Sequence, residues 1–192
     1  MKRLFLAAAC SFALTGVTVA YAAAPDAEHA RGGLGFHDSA APIGLRWWLN
    51  GEKVGIDVGV GFSSTPAEID PDEKESGFAL DVGVPFIMHS WEGAHVIFRP
   101  GLLYQSQEIG FDSAPGTPGI QFDTETATSL AIQAEIEAEV FLRDNVSVSA
   151  SHGIAFVSAD PGFGAGSNTS FGSFGNNFTN IGFHVYFLGT GK

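Results

Sequence analysis

The chain has 192 residues and a formal net charge of −12, with 9 basic residues against 21 acidic ones. So acidic a surface excludes nucleic acid as a partner, because phosphate backbones call for lysine and arginine. The one cysteine, Cys10, lies near the start, which leaves no disulfide and no thiolate metal site in the remainder.

Residues 1–22 read as a secretory signal: Lys2 and Arg3, an apolar run from Leu4 to Ala20, and Ala20-Tyr21-Ala22 as the cleavage site. Cleavage after Ala22 leaves 170 residues, enough for one domain, with 7 basic and 21 acidic groups. A lipoprotein would be acylated on Cys10, but Ala7-Ala8-Ala9 lacks the leucine that usually stands three places ahead. After the signal, no apolar run approaches the roughly 20 residues that a spanning helix needs. A membrane crossing would therefore require a closed barrel.

Residues 23–30 form a short polar periplasmic lead. Arg31 to His37, with Leu34 and Phe36 as its larger apolar groups, gives a first strand, and Asp38 to Pro42 a turn. Ile43, Leu45, Trp47 and Leu49 then alternate with Gly44, Arg46, Trp48 and Asn50, the mark of a strand with one apolar face. Asn50-Gly51 favours a hairpin turn, since both residues tolerate positive φ. Val54, Ile56, Val58, Val60 and Phe62 follow, opposite Gly55, Asp57, Gly59 and Gly61.

A polar loop, 63–76, precedes a strand carrying Phe78, Leu80, Val82, Val84 and Phe86 opposite Ala79, Asp81 and Gly83. Pro85 lacks an amide donor and belongs at a bulge or strand end. After a turn at 89–94 comes a strand with Val96, Phe98, Pro100, Leu102 and Tyr104 opposite Arg99, Gly101 and Gln105; Ile97 and Leu103 break its pattern. A second long loop spans 109–124. Residues 130–142 have helix-forming composition, yet Ile132, Ala134, Ile136, Ala138 and Val140 alternate with Gln133, Glu135, Glu137 and Glu139, and their neighbours favour a strand. Arg143-Asp144-Asn145 turns the chain into Val146, Val148, Ala150, Ile154 and Phe156 opposite serines and glycines. A third long loop, 158–177, leads to the last strand, where Ile181, Phe183, Val185 and Phe187 oppose Asn180, Gly182, His184 and Tyr186.

The expected fold is all-β: an eight-stranded antiparallel up-and-down transmembrane barrel over residues 31–188, with a tail at 189–192. Short turns and long loops alternate, as periplasmic turns and extracellular loops do in such barrels. The whole pattern resembles the small eight-stranded outer-membrane family of the OmpA-transmembrane-domain and OmpX type. Asn180-x-Gly182-x-x-Val185-x-Phe187 is similar to that family's C-terminal signal for the barrel-assembly machinery, although Leu188 to Lys192 follow the aromatic here. The resemblance implies a monomer in outer-membrane lipid of a Gram-negative envelope.

Seven charges share the face opposite the apolar one: Arg46, Asp57, Asp81, Arg99, Glu135, Glu137 and Glu139. Inside a narrow barrel they would form an ion-pair network that fills the lumen. A sharper reading is a cation-selective gate in which Arg46 or Arg99 swaps carboxylate partners. Five acids against two arginines leave excess negative charge, to be met by protonation, a cation or water. Enzymes exist on this scaffold, but Ser149 and Ser151 point away from His152, and no serine neighbours His184 in sequence. No catalytic residue, cofactor or metal site is expected; Asp70-Pro71-Asp72-Glu73 lacks the spacing of a calcium loop. Gly162-Phe163-Gly164-Ala165-Gly166 lacks the strand-to-helix setting of a phosphate cradle. Trp47, Trp48, Trp91 and Tyr104 are candidates for interfacial girdles.

The expected function is a structural or surface-interaction role with three long extracellular loops. The alternatives are a narrow solute or ion pore, and a soluble periplasmic barrel that inverts the parity and binds an apolar ligand inside.

Overall fold

Alternation of side chains along the chain becomes a continuous ring of antiparallel strands in the computed structural model. It describes residues 32–36, 38–49, 53–67, 72–112, 122–173 and 179–188. The strands are β1 (Gly32–Phe36), β2 (Ile43–Trp48), β3 (Gly55–Pro66), β4 (Lys74–Gly83), β5 (Phe86–Trp91), β6 (Ala94–Asp112), β7 (Phe122–Arg143), β8 (Val146–Asp160), β9 (Asn168–Gly172) and β10 (Thr179–Leu188).

Ten strands make eight staves. β4 and β5 both pair with β6 and form one stave broken at Val84-Pro85. Pro85 cannot donate to the ladder, but its carbonyl accepts from Gly55 N (2.9 Å), and Val84 N donates to Pro100 O (2.9 Å), so the wall stays sealed. β9 and β10 both lie along β8, β9 against Ala155–Ala159 and β10 against Val146–His152. Pairing of β10 with β1 closes the ring.

The stagger of that ring follows from the registers. From Val58 the paired residues run one way through Val82, Leu102 and Ile132 to Phe156. The other way they run through Leu45, Leu34 and Val185 to Val146. The two paths meet β8 ten residues apart. A stagger of that size over eight strands tilts them by about 40° from the barrel axis.

Residues 130–142 lie within β7, so the strand reading of that stretch holds, and the helix-like composition is overridden by pairing on both sides. Pro85 sits at a strand break as expected. The tight turns Glu92-Gly93 and Asp144-Asn145 and the connection at 49–54 lie at one end, with the start of β1 and the end of β10. Four connections lie at the other end, where three long loops were expected: 37–42 joins 67–73, 113–121 and 161–178. The long loops are also shorter than expected, because β3, β4, β6, β7 and β8 run on as polar strands. Beyond the described residues fall the signal at 1–22, the lead at 23–30, Arg31, the Asn50-Gly51 turn, Asp70-Pro71 and the tail at 189–192.

Facing alternates strictly. Ile56, Leu102, Ile132, Ile136, Ile154 and Ile181 point outward and are exposed, whereas the charged positions point inward and are buried. The interior is layered. At the turn end Trp48, Ile97, Phe141 and Tyr186 pack into one apolar cluster, against Ile87. Toward the loop end Leu103, Ala131 and Ala155 form a second, against Ala40 and Val157. Ile97 and Leu103, which blur the sequence pattern of β6, are therefore the inward apolar groups of these two layers. The 38–42 connection tucks into the mouth, with Ala41 fully buried. Asp38 holds it there, accepting from Ala40 N (2.6 Å) and from Asn180 Nδ2 on β10 (3.1 Å).

Candidate functional site: a charged lumen between two apolar layers

All seven charges named from the sequence lie between the two apolar layers, and none is more than 4% exposed. The strand period places them there: each occupies an inward position, two residues from the next on its strand. Isolated charges in such a space would cost several kcal/mol each, so their partners decide whether the arrangement is tenable.

Arg46 is the centre. Its Nε and Nη2 form a fork with Asp57, Nε–Oδ1 and Nη2–Oδ2 both 2.9 Å, across the β2–β3 pair. Its Nη1 and Nη2 form a second fork with Glu137 (2.9 and 2.7 Å). Glu137 stands on β7, four staves from β2 in either direction, so Arg46 bridges the full width of the barrel. The guanidinium also lies 5.6 Å from the Trp48 ring centre and 3.6 Å from Glu139. Planar bidentate pairing of this kind is particular to arginine.

Arg99 donates from Nε to Asp57 Oδ2 (3.0 Å) and from Nη2 to Asp81 Oδ2 (2.5 Å), and its Nη1 is 3.6 Å from Glu135. Asp57 Oδ2 thus serves both arginines. Gln133 Nε2 donates to the other Asp81 oxygen (3.1 Å). The Arg99 guanidinium lies flat over Gly83, where any Cβ would overlap it, so that glycine makes the space for the ion pair.

A second cluster surrounds Glu139. Its Oε1 accepts from Ser147 Oγ (2.6 Å) and Tyr186 OH (2.7 Å). His184 Nδ1 is 3.9 Å from that oxygen, and His95 Nδ1 is 3.7 Å from the other. Sequence reasoning missed this grouping. Ser147 stands directly opposite His184 in the β8–β10 register, and His95 opposite Glu139 in β6–β7. Only the stagger of the closed ring shows those pairings. Serine, histidine and glutamate here do not form an activated nucleophile. The serine proton is committed to the carboxylate rather than to the imidazole, and Ser147, His184 and Glu139 are at most 1% exposed.

Of the residues named for assembly, Asn180 and Gly182 face inward, Asn180 on Asp38, while Phe187 is 51% exposed on the outer surface. Val185 is half-buried within β10. Of the four aromatics named for girdles, Trp47, Trp91 and Tyr104 are outward and exposed. Trp48 is not: its inward parity puts it in the lower apolar layer, over Arg46. His152 points outward, as its parity required, and its Nδ1 is 2.8 Å from Thr179 Oγ1.

No protein-family model, curated protein or solved structure matches the chain. Its function is therefore argued from the barrel itself.

Proposed function

We propose that the chain is an outer-membrane β-barrel of the small OmpA and OmpX type, monomeric, with a structural or surface-interaction role and its four loop connections outside the cell. The observation that carries this is the sorting of side chains. Outward positions are apolar and open, among them Ile181 at 82% and Phe62 at 75% exposure, while seven ionisable groups are sealed inside. In water so extensive an apolar exterior would be an aggregation surface. In lipid it is the required exterior, where one arginine or lysine at the midplane would cost about 2–4 kcal/mol. The inverted, soluble reading needs the apolar groups inside and the charges in water.

A structural role is favoured over a pore because side chains fill the bore. The lower apolar layer closes the turn end, the forks of Arg46 cross the middle, and the 38–42 connection occupies the mouth. Eight strands leave little room beyond that. The serine–histidine–carboxylate grouping at Ser147, His184 and Glu139 serves to hold Glu139, which supports a non-catalytic role. Insertion would need outer-membrane lipid and the barrel-assembly machinery as partners, with no cofactor.

The deciding experiment is gel migration of washed outer membranes with and without boiling. A band that stays with the membranes and shifts only on boiling is expected, since folded barrels of this kind resist detergent in the cold. Recovery in the soluble periplasm with unchanged migration would sink the reading.

A further inference from the structure

The apolar exterior is not equally tall all the way round. On β7 the outward apolar run extends unbroken from Leu142 to Leu130, whereas on β8 Val146, Val148 and Ala150 are followed by His152 before Ile154 and Phe156. At about 3.3 Å per residue and a tilt near 40°, the β7 run stands roughly 30 Å tall. On β10 the outward run is only Ile181 to Phe187, and on β2 only Ile43 to Leu49. These are about 15 Å tall by the same conversion. β1 between them adds only Leu34 and Phe36 among the described residues. The lower ends of these runs are level at the turn end, so the difference is all at the loop end.

Two further observations mark the top of the low side. Ile181, Ile43 and Phe36, the uppermost outward apolar groups of β10, β2 and β1, are exposed by 82, 64 and 60%. Directly beside them on the outer face is the polar pair His152–Thr179. His152 is in register with Ile136 of β7, above which Ala134, Ile132 and Leu130 continue outward. The pair therefore sits at a height where β7 is still apolar. An imidazole and a hydroxyl facing hydrocarbon there would be costly, whereas facing headgroups they are not.

We infer that the barrel thins the lipid layer beside β10, β1 and β2: the headgroups on the loop side descend along this wall to the level of Ile43, Phe36 and Ile181, and contact His152 and Thr179. The inference rests on the membrane reading above and adds a specific lipid-contact surface to it. A bilayer adapts to a short apolar wall by thinning, at a modest cost per ångström, and here the short wall occupies about three staves of eight.

Spin labels at Ile43→Cys, Ile181→Cys and Leu102→Cys, each with Cys10 absent or replaced by serine, test it in phosphatidylcholine vesicles. Each labelled protein is first shown to migrate as the folded form before boiling; Phe36→Cys replaces a rim variant that does not fold, and Ile132→Cys, outward on the tall β7 wall, replaces Leu102→Cys. The readout is collision with a water-soluble nickel complex against collision with oxygen. A belt of even height would put Ile43 and Ile181, six residues above the turn end, near the bilayer midplane. The thinned layer instead exposes both rim labels to nickel several-fold more than Leu102. Rim labels as protected as Leu102 would overturn the inference and leave the barrel in the membrane. Three labels equally open to nickel and closed to none would overturn the membrane reading as well.

Discussion

Arg46 shows how one side chain can set the condition for a whole interior. Its two forks satisfy Asp57 and Glu137, and it is the nearest cation to Glu139. Removing it strips buried Glu137 of the guanidinium that forks it and leaves Asp57 to Arg99 alone, and breaking a buried pair in this way costs about 3–5 kcal/mol. Arg46→Ala is therefore expected to lower the unfolding free energy of the refolded barrel, read from a urea titration, by an amount of that order, and Arg46→Lys to recover only part, because an ammonium cannot make both forks. Glu135→Gln should behave differently. Glu135 lies 3.6 Å from Arg99, where Asp81 lies at hydrogen-bond distance, and five carboxylates already outnumber two guanidiniums, so neutralising it to an amide of the same shape should leave the unfolding free energy within about 1 kcal/mol of the parent. Equal losses for Arg46→Ala and Glu135→Gln in the same titration would contradict this account. These residues were legible in the sequence because parity alone puts them on one face. Their pairing was not, since Arg46 and Glu137 meet across the lumen from staves 91 residues apart.

At the scale of strands, legibility depended on which faces were apolar. Where one face was apolar and the other polar or small, as on β3 and β10, alternation gave the element and its facing at once. Where a strand rises beyond the barrel it is polar on both faces, and the hydrophobic period vanishes. That is why the upper parts of β6 and β7 read as loop, although Thr124, Thr126 and Thr128 alternate and are β-branched, a usable strand signal. Glu108 ties this raised region together by accepting from both Ser76 N (3.0 Å) and Ser76 Oγ (2.5 Å), and these bonds hold its carboxyl below the usual range. β1, as short as β9 at five residues, is the most exacting. Any Cβ on Gly35 would overlap the carbonyl oxygen of Phe183, so β1 can lie against β10 only if that residue is glycine. Gly35→Val should abolish or strongly reduce the boiling-dependent shift, while Gly164→Asn, a residue that tolerates the φ of 65° there and meets nothing within 4 Å, should keep it. A normal shift for Gly35→Val would show that the β1–β10 seam is not what closes the ring.

For the whole molecule, the layered interior argues against conduction. An ion would have to pass the Trp48, Ile97, Phe141 and Tyr186 layer, where the lining is apolar, before reaching any carboxylate. Planar-bilayer recordings of the folded protein are expected to show no steady unitary steps, and replacing Glu135, Glu137 and Glu139 by glutamine should not create them. Steps that disappear on that replacement would favour the pore.

The seam between β1 and β10 also fixes an order of events during synthesis. β1 is made early, yet its partner on that side lies about 150 residues later, so one edge of the sheet stays bare until the last strand is delivered. β8 waits likewise, with only the short β9 along its upper part. Until then the nascent sheet has two unpaired edges and an apolar face, which makes it prone to pair with other chains. Distant pairing of this kind also slows folding. A chain built this way is vulnerable for most of its journey, and it becomes safe in a single final step.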